Sequence, residues 1–226
     1  MTDRSTFVLA TANPDKAKEI RALFDGAELV ARPREVPEVD EVGETLEENA
    51  LLKARALVAA TGRPALADDT GLEVAALGGL PGVRSARWAG PSATYADNVA
   101  KLLAELSAAP TARPGEGHRA RFATVAAAVY PDGTEVTALG VVDGTIVEEP
   151  RGDGGFGYDP VFVPDEGGGL TFAEMGAADK NALSHRGRAF RALAERLRSV
   201  ARLGAEEKSP GHGGRAGGRR EAGERQ

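Results

Sequence analysis

The sequence predicts an α/β fold built on a mixed sheet flanked by helices. Two observations carry that expectation. Through the first half of the chain, short apolar runs of strand length alternate with apolar patterns of helical spacing. Further on, two β-rich runs at 122–130 and 134–142 are joined by Pro131-Asp132-Gly133, a hairpin signal that sets antiparallel strands into an otherwise alternating chain.

Each element has its own signal. The run 7–10 is apolar and of strand length, and it ends in a polar turn at Thr11-Ala12-Asn13. Asn13 followed by Pro14 reads as an N-cap and first helical residue, and Ile20, Leu23 and Phe24 give that helix an apolar face. A short strand at 28–31 precedes a charged, proline-containing loop with Glu38, Asp40 and Glu41. Thr45 and Glu48 have capping-box spacing, and a helix to about residue 60 follows. Counting from Leu46 at about 100° per residue, Leu57 falls near about 20° and Lys53 near about 340°. Lys53 therefore borders the apolar stripe and can turn inward to a buried anion.

Next comes Pro64-Ala65-Leu66-Ala67-Asp68-Asp69, read as a buried strand that ends on its two carboxylates. The glycine-rich segment 78–82 marks a fixed loop, with Arg84, Arg87 and Trp88 just beyond it. Thr94 and Asp97 are placed to cap a helix to about residue 107, and 108–117 reads as a loop. After the hairpin, Asp143-Gly144 predicts a second turn and 145–147 a third strand. The stretch GDGGFGYD at 152–159 leads to a strand at 160–163, and Thr171 and Glu174 repeat the capping-box spacing. Residues 182–200 form the last helical pattern. From Gly204 on, glycine, arginine and glutamate replace large apolar residues, so 1–203 is expected to be one domain and 204–226 a disordered tail.

Composition removes several classes of function. A net charge of −6 argues against a binder of polymeric nucleic acid, which needs a broad basic surface. With no cysteine and only three histidines, thiolate and histidine-rich metal sites are excluded, so a bound metal would take oxygen ligands, as Mg²⁺ or Mn²⁺ does. No apolar run approaches the length of a membrane span, and the N-terminal run is too brief for a signal peptide, so a cytoplasmic protein is expected.

The chemistry centres on Asp68-Asp69. Adjacent buried carboxylates are costly unless cations or a metal compensate them. A strand, polar turn and helix start at 11–16 adds backbone amides and Lys16, a setting suited to phosphate. GDGGFGYD lacks the lysine and hydroxyl of a P-loop and is not a dinucleotide fingerprint.

Together the blocks LATANPDKAKEI, ENALLKA, ADDTGLEV, LGGLPGVRSARWAG, GGFGYDPVF and DKNALSHRGRA, spread over about 7–200, give the chain a more specific identity. In this order they resemble the inosine triphosphate pyrophosphatase family, hydrolases of non-standard purine nucleoside triphosphates. The resemblance implies an elongated two-lobed fold with the nucleotide in a central cleft, and hydrolysis of ITP, dITP and XTP to the monophosphate and pyrophosphate.

Carried over by motif, Thr11, Ala12, Asn13, Pro14, Asp15, Lys16 and Lys53 would hold the triphosphate, with Thr70 beside them. Glu41 and Asp69, and Asp68 next to them, would bind Mg²⁺, and Asp69 would activate the attacking water. Phe156, Gly157, Tyr158, Asp159, Lys180, His185 and Arg186 would form the base pocket. Donors among these would favour the carbonyl at the six position of hypoxanthine and leave adenine mispaired. A homodimer is implied as well. Two readings stay open beside it, a pyrophosphatase for another modified triphosphate and a nucleotide sensor that does not cleave.

Overall fold

The computed structural model of the chain describes residues 6–24, 27–109 and 118–207. Strand β1 (Thr6–Leu9) runs into helix α1 (Pro14–Leu23), whose N-cap Asn13 accepts from Asp15 N and Lys16 N. β2 (Glu28–Ala31) and helix α2 (Leu46–Thr61) follow, and the Thr45–Glu48 capping box is reciprocal as its spacing predicts. Strand β3 (Ala65–Val74) leads through two short 3₁₀ turns and β4 (Pro81–Gly82) to helix α3 (Tyr95–Ala108), capped by Thr94 and Asp97. The long hairpin is β5 (His118–Val129) and β6 (Glu135–Ile146). β7 (Phe162–Pro164), α4 (Ala177–Leu183) and α5 (His185–Glu207) complete the chain.

The sheet is mixed, as expected. Its order is β2-β1-β3-β5-β6-β7 with β4 on the edge of β3, parallel from β2 to β3 and antiparallel from β3 onward. The core has two main parts. One surrounds Phe122, Phe162 and Phe172 under α3 and β7, and the other packs Phe7, Ile20, Phe24, Phe190 and Leu193 between the sheet, α1 and α5. A smaller cluster of Val8, Ala54, Leu57 and Ala67 seats α2 on the opposite face. Burying each large side chain of these clusters stabilises the fold by roughly 1.5–3 kcal/mol, so both parts are held by the same sheet.

Several expectations are corrected. The carboxylate pair does not end its strand: β3 continues through Gly71 to Val74. A Cβ at Gly71 would lie 2.8 Å from Gly82 O, so this glycine permits the close approach of β4 and is no terminator. Asp143-Gly144 is likewise no turn, because β6 runs on to Ile146 and the predicted third strand is its end. Gly144 leaves room for Phe162 and Val163 of β7 to lie against β6, and Asp143 pairs with Arg121 across the ladder at 2.9 Å.

Strand β7 begins at Phe162, two residues later than predicted, with Pro160 in the preceding turn. The last helical pattern is broken by Ser184, whose extended backbone (φ −63°, ψ 153°) separates α4 from α5. Helix α5 continues past Leu203 to Glu207, while most of the predicted 108–117 loop and the tail from 208 lie outside the described residues. Thr171 and Glu174 exchange the two capping-box bonds without starting a helix. Among the described residues no helix is long and apolar enough to cross a membrane.

Candidate active site

Strand β3 positions the site. It pairs with β1 at Ala65 and Leu66, β1 ends at Leu9, and the edge of β3 beyond Leu66 faces the turn that opens α1 until β4 covers Leu72 and Glu73. Ligands gather outside strand ends in open α/β sheets, and here the strand that ends is β1.

Because successive residues of a strand face opposite sides, Asp68 and Asp69 are divided between the two faces of the sheet. Leu66 packs with α1 and α5 while Ala67 packs with α2, and the carboxylates repeat that alternation. Asp69 lies on the α2 face, where Lys53 Nζ donates to Oδ1 at 2.7 Å and Asn49 Nδ2 donates to Oδ2 at 3.3 Å. Lys53 also donates to Glu41 Oε1 at 3.0 Å, and Arg87 holds the other oxygen of Glu41 at 2.7 Å. The helical angle of Lys53 thus brings it inward to a buried anion, as its position relative to the apolar stripe implies.

Asp68 lies on the other face. Arg186 donates to Asp68 Oδ2 from both Nε and Nη2 at 3.2 Å, and Lys16 Nζ is 3.8 Å away. Arg186 is anchored further by Glu19 at 2.6 Å, and Glu19 takes Lys180 with its second oxygen, also at 2.6 Å. Lys180 in turn donates to Asp159 at 2.6 Å, and Asp159 Oδ2 accepts from Phe156 N at 2.6 Å. This buried network runs from Asp68 to the glycine-rich stretch without a gap.

The two carboxylates differ electrostatically. Burial pushes the Asp69 carboxyl up to about 6; Lys53 opposes that shift and Glu41 adds to it. Burial also acts on Asp68, but Lys16, Arg186 and Lys53 outweigh it and hold that carboxyl well below the usual range. Lys53 is held charged, because Asp69, Asp68 and Glu41 around it outweigh its own burial. Two acids, Glu41 and Asp69, share one lysine on this side, so the lysine is firmly protonated while Asp69 remains the easier of the two to protonate.

Beyond Asp68 is a cavity lined by Asn13, Lys16, Thr70, Phe156, His185 and Arg186, with Gly157, Tyr158 and Asp159 in its wall. Lys180 Nζ and the Arg186 guanidinium lie 4.8 Å and 5.3 Å from the centre of the Phe156 ring. His185 stacks on Phe122 at 4.3 Å, and its Nδ1 is buried without a hydrogen-bond partner. Burial and the nearby cations Arg186 and Lys180 push its pKa well below the ordinary value, so His185 is neutral.

Most of the residues singled out in the sequence therefore converge. Thr70 shares the face of Asp68, bonded to its cross-strand neighbour Thr124 at 2.7 Å and to Arg186 at 3.2 Å. Asp68 is the exception within the metal set, since it faces away from Glu41 and Asp69 and is committed to Arg186. In the 11–16 turn, Asn13 and Lys16 reach the cavity, while Ala12, Pro14 and Asp15 are exposed and Thr11 accepts from Asn13 N at 3.1 Å. Lys180 stands behind Asp159, outside the cavity wall.

Four participants escaped sequence reasoning: Glu19, Asn49, Arg87 and Tyr95. Each acts through a partner on another element, and only Asn49 carried a local sign, a polar residue on the buried stripe of α2.

Glu41 and Asp69 offer oxygen donors that already share one cation, the Lys53 ammonium. Among the described residues no three acidic or histidine side chains form a metal cage by themselves. That sparse set fits Mg²⁺, which takes one or two carboxylates and fills its shell with water and phosphate oxygens.

Comparison with known proteins shows the family of the chain. A model of the Ham1 family matches residues 7–196. The chain is 50% identical over 192 residues to a dITP/XTP pyrophosphatase of Symbiobacterium thermophilum, covering 84% of this chain and 93% of that one. It is 49% identical over 201 residues to a dITP/XTP pyrophosphatase of Mycobacterium tuberculosis, covering 86% and 96%. A solved HAM1 protein from Coxiella burnetii superposes with a TM-score of 0.76 at 40% identity, covering 86% of this chain and 99% of that one. On the strength of the family match and these relatives, the chain belongs to the Ham1 family.

Proposed function

We propose that this protein hydrolyses the α–β phosphoanhydride bond of non-standard purine nucleoside triphosphates, ITP, dITP and XTP, releasing the monophosphate and pyrophosphate. The observation that carries the reading is the division of Asp68 and Asp69. One carboxylate serves a polar corner with Glu41 and Lys53, and the other is wired through Arg186 to an aromatic cavity with cations behind it.

Glu41 and Asp69 would hold Mg²⁺. The ion would supply neutralisation of triphosphate charge and acidification of water. Asp69, with a carboxyl near pH 6 in the protein alone, accepts the proton of the attacking water, and Lys53 and Asn49 fix its orientation. Lys16, Lys53 and Arg87 offset phosphate charge in a cleft of low dielectric. The Phe156 ring stacks on the base. Neutral His185 and the Arg186 cation, which line the cavity, favour a carbonyl at the six position, while an adenine amino group leaves those donors mispaired; Lys180, behind Asp159, adds positive charge to that side. A homodimer acting in the cytoplasm on the nucleotide pool belongs to the same reading.

A substrate panel tests it. ITP, dITP and XTP should release pyrophosphate with Mg²⁺ far faster than ATP or GTP. Faster cleavage of a pyrimidine or other modified triphosphate would move the assignment to that substrate, and tight ITP binding without any product would make the protein a sensor.

A further inference from the structure

Tyr95 is the first residue of α3 and belongs to none of the motif blocks. Its ring lies 5.8 Å from that of Phe156, tilted by 38°. Its hydroxyl oxygen accepts from Asn13 Nδ2 at 2.7 Å. Asn13 uses its other side-chain atom to cap α1, accepting from Asp15 N at 2.9 Å and Lys16 N at 3.3 Å. One asparagine thus joins the start of α1, on the Phe7–Phe190 part of the core, to the start of α3 on the Phe122 part.

Tyr95 and Phe156 line the base cavity on one side and an apolar groove of about 490 Å³, with Val99, Leu103 and Pro160, on the other. The cavity itself measures about 90 Å³. That is well below the ~300–1,000 Å³ of ordinary small-molecule sites, and the groove gives the two rings room to move as a purine enters. Tyr95 is 43% exposed, and α3 has its own Thr94–Asp97 cap, so neither the core nor the helix depends on this side chain.

We propose that Tyr95 is a specificity-determining residue of the nucleotide site: with Phe156 it closes the cavity over the base, and its bond to Asn13 ties that closure to the turn that carries Lys16. The inference rests on the nucleotide reading above. Its physical content is water exclusion. A mispaired amino group is penalised heavily only where water cannot enter to satisfy it. Opening the mouth therefore weakens the preferred base and lowers the discrimination against the wrong one.

The test compares ITP and ATP hydrolysis with Mg²⁺ by the wild-type protein, Tyr95→Phe, Tyr95→Ala, Asn13→Ser and the Asn13→Ser/Tyr95→Phe double variant, with thermal melting of each. Tyr95→Ala should lower the ITP-to-ATP ratio of kcat/KM at least about tenfold, mainly through KM for ITP, with its melting temperature close to that of the wild type. Tyr95→Phe keeps the ring and loses the bond, so its KM for ITP should rise about 2–10-fold. The double variant should be no worse than the weaker single variant, because both remove one interaction. An unchanged ratio in Tyr95→Ala, or fully additive effects in the double variant, overturns the inference while wild-type ITP turnover keeps the functional reading. Absence of ITP turnover by the wild type overturns the functional reading and this inference with it.

Discussion

Arg186 and Asp68, 118 residues apart in sequence, form a buried ion pair in which Nε and Nη2 both donate to one carboxylate oxygen at 3.2 Å. The guanidinium also lies over the Phe156 ring, so one side chain touches Asp68 and the base cavity at once. Lysine cannot reproduce that planar fork. Arg186→Lys should lower kcat/KM for ITP by about 100-fold or more and cost several kcal/mol of stability, roughly the 3–5 kcal/mol of a broken buried pair. Kinetics and urea unfolding measure the two effects, and wild-type values for both would remove Arg186 from its linking role.

Glu41 shares Lys53 with Asp69 but, unlike Asp69, is held ionised: burial raises its pKa, and Lys53, Lys16 and Arg87 together lower it further than burial raises it. Glu41→Gln keeps the shape and removes a charged oxygen donor. The Mg²⁺ concentration for half-maximal activity should rise at least about tenfold, on the scale of losses seen when metal ligation is disturbed. A metal titration at saturating ITP reads this directly, and an unshifted midpoint would take Glu41 out of the metal set.

The protein's response to acid contains two opposed contributions. His185 has a pKa well below the ordinary 6.5 of a histidine because of burial and then Arg186 and Lys180, so the unfolded chain takes up its proton first and stability falls as pH drops below about 6.5. Asp69, raised to about 6 by burial from 3.8, is protonated first in the folded protein and adds stability as pH falls from about 6 towards 3.8. Asp68, held low, loses its contribution only below about 3.8. In His185→Gln the gain from Asp69 is left unopposed. Urea unfolding without metal or nucleotide at pH 7.5 and 5.0 should show the variant losing up to about 2 kcal/mol less than the wild type over that interval. Parallel pH slopes for the two proteins would contradict the neutral, buried histidine.

Gly140 of β6 sets the height of α5 above the sheet. A Cβ there would collide with His185 O and Ala189 N. Gly140→Ala should therefore push the start of α5 outward, lowering stability by about 1–3 kcal/mol and disturbing His185 and Arg186 together. Thermal melting and KM for ITP should move in step; a variant with lower stability and unchanged KM would separate the helix seat from the base cavity.

Much of the fold was legible because local chemistry marked it. Asn13-Pro14 and the Thr45 and Thr94 boxes placed three helix starts, and the angle of Lys53 beside its apolar stripe allowed the inward turn that its bonds to Glu41 and Asp69 show. Asp143-Gly144 misled, since it read as a turn, and Gly144, like Gly71, is in fact a site where another strand comes close. That distinction depends on a neighbour distant in the chain, Gly82 for one and Phe162 for the other. The roles of Glu19, Arg87 and Tyr95 were unreadable for the same reason: they exist only with Arg186, Glu41 and Asn13 on other elements. The separation of Asp68 from Asp69 follows from strand alternation, but which partners each meets, Arg186 or Lys53, depends on elements distant in the chain.

The central claim, that Asp69 activates water for cleavage between the α and β phosphates, is tested most directly by identifying the products of ITP with Mg²⁺ for the wild type and Asp69→Asn. Wild-type protein should yield IMP and pyrophosphate in equal amounts. Asp69→Asn should lose about two to four orders of magnitude in kcat, the usual contribution of a positioned base, while still binding ITP. Release of orthophosphate and IDP, or near wild-type turnover by Asp69→Asn, would contradict it.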